Sequence, residues 1–186
     1  SDLASRGDGA VVEEPGYPGH RAALLSAGLR LLPIPVDGEG LDAGALPHGS
    51  PARSARLACV TPSHHYPLGP TLTLSRRLAL LEWAGRDRWI VEDDYDSEFR
   101  YRGPPLPALQ GLDTRGRVLY LGSFSKSLFP GLRLAYLVAP RTLVPALRSA
   151  LEGESERPST VAQAALASFI AEGHYAARSE EHTSEL

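Results

Sequence analysis

Leu119-Tyr120-Leu121-Gly122-Ser123-Phe124-Ser125-Lys126-Ser127-Leu128-Phe129-Pro130-Gly131-Leu132-Arg133-Leu134 places a hydroxyl-rich turn between two apolar segments. The first segment, centred on Val118 to Leu121, reads as a buried strand that Gly122 to Ser125 breaks. A second strand is expected over Leu132 to Ala139. The link from Lys126 to Leu132 is too short for a helical crossover, so that second strand is expected to run antiparallel to the first. Lys126 is the only lysine of the chain; the other 18 of its 19 basic side chains are arginine. Lysine can lose its proton and form a Schiff base with a carbonyl, and arginine cannot. Ser123, Ser125, Ser127 and Arg133 supply the hydroxyls and the fixed charge that suit a phosphate.

Outward from this stretch, strands alternate with helices. Strand-like runs are expected at 10–14, 29–36, 56–60, 89–92 and 117–122. Helical spacing covers 20–27, 74–84, 140–151 and 158–172, with a short helical piece at 41–46. Pro33 and Pro35 put the 29–36 strand near an edge of the sheet. Residues 100–112 carry several prolines and read as an irregular excursion. Most strands are apolar throughout, as strands covered on both faces are. The fold class is therefore α/β: a mainly parallel sheet with helices on both faces.

Composition narrows the function. The 186 residues carry a net charge of −3, which argues against a nucleic-acid-binding surface on this chain. The one cysteine, Cys59, has apolar neighbours and reads as a buried thiol of a reducing compartment, hence a cytoplasmic location. No apolar run is long enough to span a membrane, and no membrane partner is expected. The chain contains no methionine, and it is expected to be a piece of a longer protein. Residues 178–186 lack apolar periodicity and resemble a translated sequencing adapter. They are expected to be a non-native tail, of which Ser179 to Leu186 packs against nothing, leaving 1–177 as the folded part.

Ligands of such sheets sit at the carboxyl ends of the strands. Four loops that follow expected strands carry distinctive side chains: Pro15-Gly16-Tyr17, Ser63-His64-His65-Tyr66, Asp93-Asp94-Tyr95 and Ser123-Phe124-Ser125-Lys126. Other readings stand beside a shared cofactor site. Glu92 to Asp96 suits a solvated acidic loop or a divalent cation, although its spacing fits no standard calcium loop. His64 and His65 with Cys59 are a poor match to structural zinc patterns. Tyr17 also suits a plain turn, and Arg133 a surface ion pair.

Ser123 to Lys126 with Arg133 seven residues on, and Asp93 with Tyr95 upstream, resemble the large domain of fold-type I pyridoxal-phosphate aminotransferases. More narrowly, four stretches resemble the MocR-type regulators of the GntR superfamily. These are Val12-Glu13-Glu14-Pro15-Gly16-Tyr17-Pro18-Gly19, Thr61 to Gly69, Glu92 to Tyr101, and Pro105 to Gln110. Such regulators join a winged-helix DNA-binding domain to an aminotransferase-like domain. The resemblance implies pyridoxal 5'-phosphate as cofactor, with Lys126 attached to it and Asp93 keeping its ring nitrogen protonated. Tyr95 would stand at the phenolic oxygen, Tyr17 would stack on the ring, and Ser123, Ser125 and Arg133 would hold the phosphate. Tyr66 stands where many aminotransferases have asparagine near the phenolic oxygen, and Leu68 where small hydroxyl residues are common.

Two functions follow from the resemblance. One is the effector-sensing domain of a regulator that responds to an amino acid or amine. The other is part of a stand-alone aminotransferase moving an amino group between an amino acid and a 2-oxo acid. In either case the resemblance implies a PLP-dependent transferase large domain truncated at both ends. It also implies a homodimer, and DNA contact only through a winged helix outside this chain.

Overall fold

The computed structural model describes residues 3–48, 55–95, 107–153, 158–175 and 177. The expectations for Asp96 to Leu106 and for the tail 178–186 lie outside the described residues. Seven strands form one sheet in the order β3-β2-β1-β4-β5-β6-β7. They are β1 (Gly9–Glu14), β2 (Arg30–Asp37), β3 (Gly40–Leu41), β4 (Leu57–Val60), β5 (Trp89–Asp94), β6 (Val118–Ser123) and β7 (Ala135–Val138). The five neighbouring strands β2, β1, β4, β5 and β6 are parallel, and the short strands β3 and β7 run antiparallel at the two edges.

Among the described residues five helices accompany them: α1 (Pro18–Ser26), α2 (Leu74–Ala84), α3 (Leu109–Leu112), α4 (Val144–Gly153) and α5 (Thr160–Ala171). α1 starts on Pro18, whose missing N–H costs nothing in a first turn. It stops before Gly28, which takes the left-handed conformation at φ +79°.

The apolar strands sort by residue parity, because successive side chains of a strand point to opposite faces. Val11, Ala58, Ile90 and Val118 pack on one face with Leu80, Trp83 and Ala84 of α2 and Leu109 of α3. Val12, Cys59, Trp89 and Leu119 pack on the other with Leu24 of α1 and with Leu143 and Leu147 at α4. This double coverage is why the strands carry unbroken apolar runs rather than alternating ones.

The short connection after Lys126 does return the chain antiparallel, with Ser123 opposite Ala135. The strand with Pro33 and Pro35 is one place from the sheet edge. Two elements were not expected. β3 pairs only Val36 with Leu41 and Asp37 with Gly40, and α3 forms inside the proline-rich excursion. The second strand is also shorter than expected, since Pro130–Leu132 forms a 3-10 turn and β7 begins at Ala135.

Candidate functional site

Four parallel strands end on one rim: β1 at Glu14, β4 at Val60, β5 at Asp94 and β6 at Ser123. Their following loops bring the expected side chains together. The Lys126 ammonium lies over the Tyr95 ring, 4.4 Å from its centroid. Tyr95 meets Tyr66 edge to face at 6.5 Å and stacks with His64 at 6.1 Å. Tyr66 meets Tyr17 edge to face at 5.5 Å, and Tyr17 meets His20 at 5.2 Å. His20 Nε2 closes the series at 2.7 Å from Asp93 Oδ2. A contiguous wall of aromatic rings thus joins Lys126 to Asp93.

His20 is a residue that sequence reasoning missed. The sequence offers it only as the start of a helix; it stands in the first turn of α1, three residues after Tyr17. Residues three apart on a helix share a face, which is the signal that could have found it. Its bond to Asp93 fixes one carboxyl oxygen, while Oδ1 takes no hydrogen bond from the described residues. A carboxylate oriented in this way can accept a proton-bearing ring nitrogen.

The serine loop closes on itself. Phe124 N–H donates to the Leu134 carbonyl at 3.1 Å, which draws Ser123, Ser125 and Arg133 into one turn. Ser125 N–H donates to Ser123 Oγ at 3.1 Å. Arg133 is the one non-glycine residue, among those described, with positive φ (51°). Residues held in that region cluster at functional sites. Its side chain is exposed, as is that of Lys126. A Cβ at Gly122 would overlap the ring of Tyr136 on the neighbouring strand, so that ring lies directly over the glycine.

The two histidines of the 61–69 loop diverge. His64 turns to Tyr95, and His65 is buried beside Glu13, its Nε2 3.7 Å from Glu13 Oε2. Cys59 is a buried thiol whose pKa burial pushes up to about 12, with Asp93 and Glu13 adding to the shift, so it stays protonated. Glu13 is the second residue that sequence reasoning missed. It accepts from Thr61 N at 3.1 Å and from Thr61 Oγ1 at 2.7 Å. Burial raises its pKa to about 7, against the pull of the Thr61 bonds and of His20, with Asp93 adding to the rise.

This shift predicts a pH dependence of stability. Between the ordinary pKa near 4.5 and about 7 the folded state keeps the Glu13 proton that the unfolded state has lost. Stability is therefore complete below pH 4.5 and falls as pH rises through 7, by about 3 kcal/mol. His65, lowered chiefly by burial and opposed by the Pro15 carbonyl, acts in the other sense and loses stability as pH falls through its folded pKa. Denaturant titrations from pH 4.5 to 8 on wild type and Glu13→Gln isolate the Glu13 share by difference. The difference should narrow below pH 5 and reach its plateau above 7. A pH-independent difference would mean that Glu13 does not titrate in this range.

A planar aldehyde with a pyridine nitrogen and a phosphate needs a lysine, a free carboxylate oxygen, aromatic faces and hydroxyls beside an arginine. The residues on this rim fit that group.

The chain matches the family described as aminotransferase class I and II over residues 3–185. It is 47% identical over 175 residues to the probable rhizopine catabolism regulatory protein MocR of Rhizobium meliloti, covering 94% of this chain and 35% of that protein. It is 46% identical to the HTH-type transcriptional regulator TauR of Rhodobacter capsulatus, covering 93% of this chain and 35% of that protein. Among solved structures it resembles LysN, the alpha-aminoadipate aminotransferase of Thermus thermophilus, complexed with N-(5'-phosphopyridoxyl)-L-leucine. That likeness has a TM-score of 0.86 at 32% identity and covers 98% of this chain and 48% of LysN. The chain thus spans about a third of the length of these curated relatives.

Proposed function

The chain belongs to the aminotransferase class I and II family, and from that membership we propose that it is the pyridoxal-phosphate-binding, effector-sensing part of a MocR-type transcription regulator. The observation that carries the reading is the contact series from Lys126 through Tyr95, Tyr66, Tyr17 and His20 to Asp93. The identity of 47% to a regulatory protein supports regulation rather than catalysis alone.

In this reading Lys126 carries the cofactor covalently, and Asp93, oriented by His20, holds the proton on the ring nitrogen. Tyr95 and Tyr66 stand at the phenolic oxygen, and Tyr17 covers a ring face. Ser123, Ser125 and Arg133 bind the phosphate. When bound, the cofactor supplies an electron-withdrawing ring and an aldehyde carbon that an amine can attack. The chain's own residues would keep that ring protonated and flat. A small amino acid or amine is the effector, the full protein is a homodimer, and DNA is met by a winged helix outside this chain.

A stand-alone aminotransferase is the second reading, favoured by the likeness to LysN at 32% identity. The two separate in one experiment on the full protein loaded with pyridoxal phosphate. A regulator changes its operator mobility shift when the amino compound is added and shows little 2-oxo acid turnover. Steady turnover with no operator binding would replace the first reading by the second. Absence of any cofactor-dependent absorbance would remove both.

A further inference from the structure

The carboxyl group of Glu13 lies buried between two loops that carry rings of the candidate site. Glu13 is the penultimate residue of β1, and the turn after it folds back closely. A Cβ at Gly16 would overlap the Glu13 carbonyl oxygen. Tyr17 follows at once. Across the sheet, Thr61 follows β4 and Tyr66 stands five residues further on. Both Thr61 donors, N–H and O–H, go to the same oxygen, Glu13 Oε2.

That arrangement sets a direction. The Thr61 hydroxyl has only one proton, and Glu13 takes it. The remaining lone pairs of Oγ1 are left to accept, and Tyr66 N–H donates to them at 3.3 Å. His65 adds a further constraint. Leu68 N–H donates to His65 Nδ1 at 3.4 Å, so the ring proton sits on Nε2, the nitrogen that faces Glu13. Nε2 is fully buried and has no hydrogen bond of good geometry among the described residues. The groups facing the carboxyl are therefore Thr61 and His65 from the loop after β4, with the charges of His20 and Asp93 acting from α1 and β5.

We propose that Glu13 is a positioning residue: through the Thr61 hydroxyl it fixes the Tyr66 backbone against the Tyr17 turn, and so holds two rings of the cofactor wall in place. This rests on the cofactor reading above. It adds a residue that touches no cofactor and acts through Thr61. The Gln variant should substitute, because both Thr61 donors use one oxygen and an amide oxygen can accept both.

The test uses the full protein and two measurements. The first, amide hydrogen exchange of Thr61 and Tyr66 without cofactor, is independent of the cofactor reading. The second is the dissociation constant for pyridoxal phosphate from absorbance titration. Glu13→Ala should speed the exchange of both amides and weaken cofactor retention about tenfold. Thr61→Val, which keeps the side-chain shape without the hydroxyl, should do the same at Tyr66 and carries the test if the alanine variant does not fold. Neither Glu13→Gln nor Thr61→Ser should speed the exchange of either amide or weaken cofactor retention. The double variant should be no worse than either single one, since the two residues form one link.

Unchanged exchange at Tyr66 in both single variants would overturn the proposal, as would additive losses in the double variant. If the wild-type protein takes up no cofactor, the functional reading falls. The exchange data alone then decide whether Glu13 holds the two loops.

Discussion

Lys126→Ala in the full protein loses the whole visible absorbance that pyridoxal phosphate gives to wild type, and borohydride then traps nothing on residue 126. The expectation follows from the chemistry of one side chain. Lys126 is the only lysine of the chain, it is exposed at the strand rim, and its ammonium lies 4.4 Å from the Tyr95 ring centroid. A ring face stabilises the cation there and helps to hold the amine in place. Lys126→Arg separates charge from covalency. It keeps the cation that attracts a phosphate but has no amine able to form the bond, so it should bind the cofactor weakly and show no trapped adduct. Visible absorbance, followed by the mass of the reduced peptide, checks both variants. An undiminished band in Lys126→Ala would place the covalent attachment elsewhere.

Much of the rim was legible because its logic is local. The parity of Val11 and Val12, of Ala58 and Cys59, and of Val118 and Leu119 reflects coverage on both faces, and unbroken apolar runs announce that coverage. The antiparallel β7 follows from a link too short to cross the sheet. Lys126, Asp93, Tyr95, Tyr66 and Tyr17 follow apolar runs, and topology alone brings those loops to one edge. What escaped the sequence reading depends on distant partners. Glu13 looks like an ordinary acid until Thr61, 48 residues on, folds over it. His20 looks like a helix start until Asp93, 73 residues on, takes its Nε2. β3 consists of two residues and exists only because β2 offers them an edge.

Glu92 ends the strand expected at 89–92, and it is fully buried in β5 rather than part of the solvated acidic loop or cation site that its acidic neighbours also suit. Strand parity explains the difference: Glu92 points to the side of Ile90, under α3, while Asp93 points to the opposite side. Its two oxygens are divided between two donors. Oε1 accepts from Leu109 N and Oε2 from Gln110 N, each at 2.9 Å. These are N–H groups of the first turn of α3, which no intrahelical carbonyl can satisfy. The buried Arg77 guanidinium stands 4.0 Å from Oε1, itself held by the carbonyls of Leu72, Pro62 and Pro107. Burial raises the Glu92 pKa, and the two amides and Arg77 pull it back.

Glu92→Ala leaves two amides buried without their acceptor and removes the carboxylate that faces the buried Arg77 guanidinium, and should cost about 3–5 kcal/mol of unfolding free energy. Glu92→Gln should fall between, at about 1–3 kcal/mol, since its NH2 would point at an N–H that needs an acceptor. Glu13 makes the useful contrast, because its Gln variant loses no acceptor. Denaturant unfolding of the full protein therefore has a definite order: wild type and Glu13→Gln near each other at acid pH, Glu92→Gln lower, and Glu92→Ala lowest. Because Asp93 is the next residue of the same strand, the Glu92 variants should also loosen cofactor retention. A Glu92→Ala protein as stable as wild type would show that α3 and Arg77 are anchored without this carboxylate.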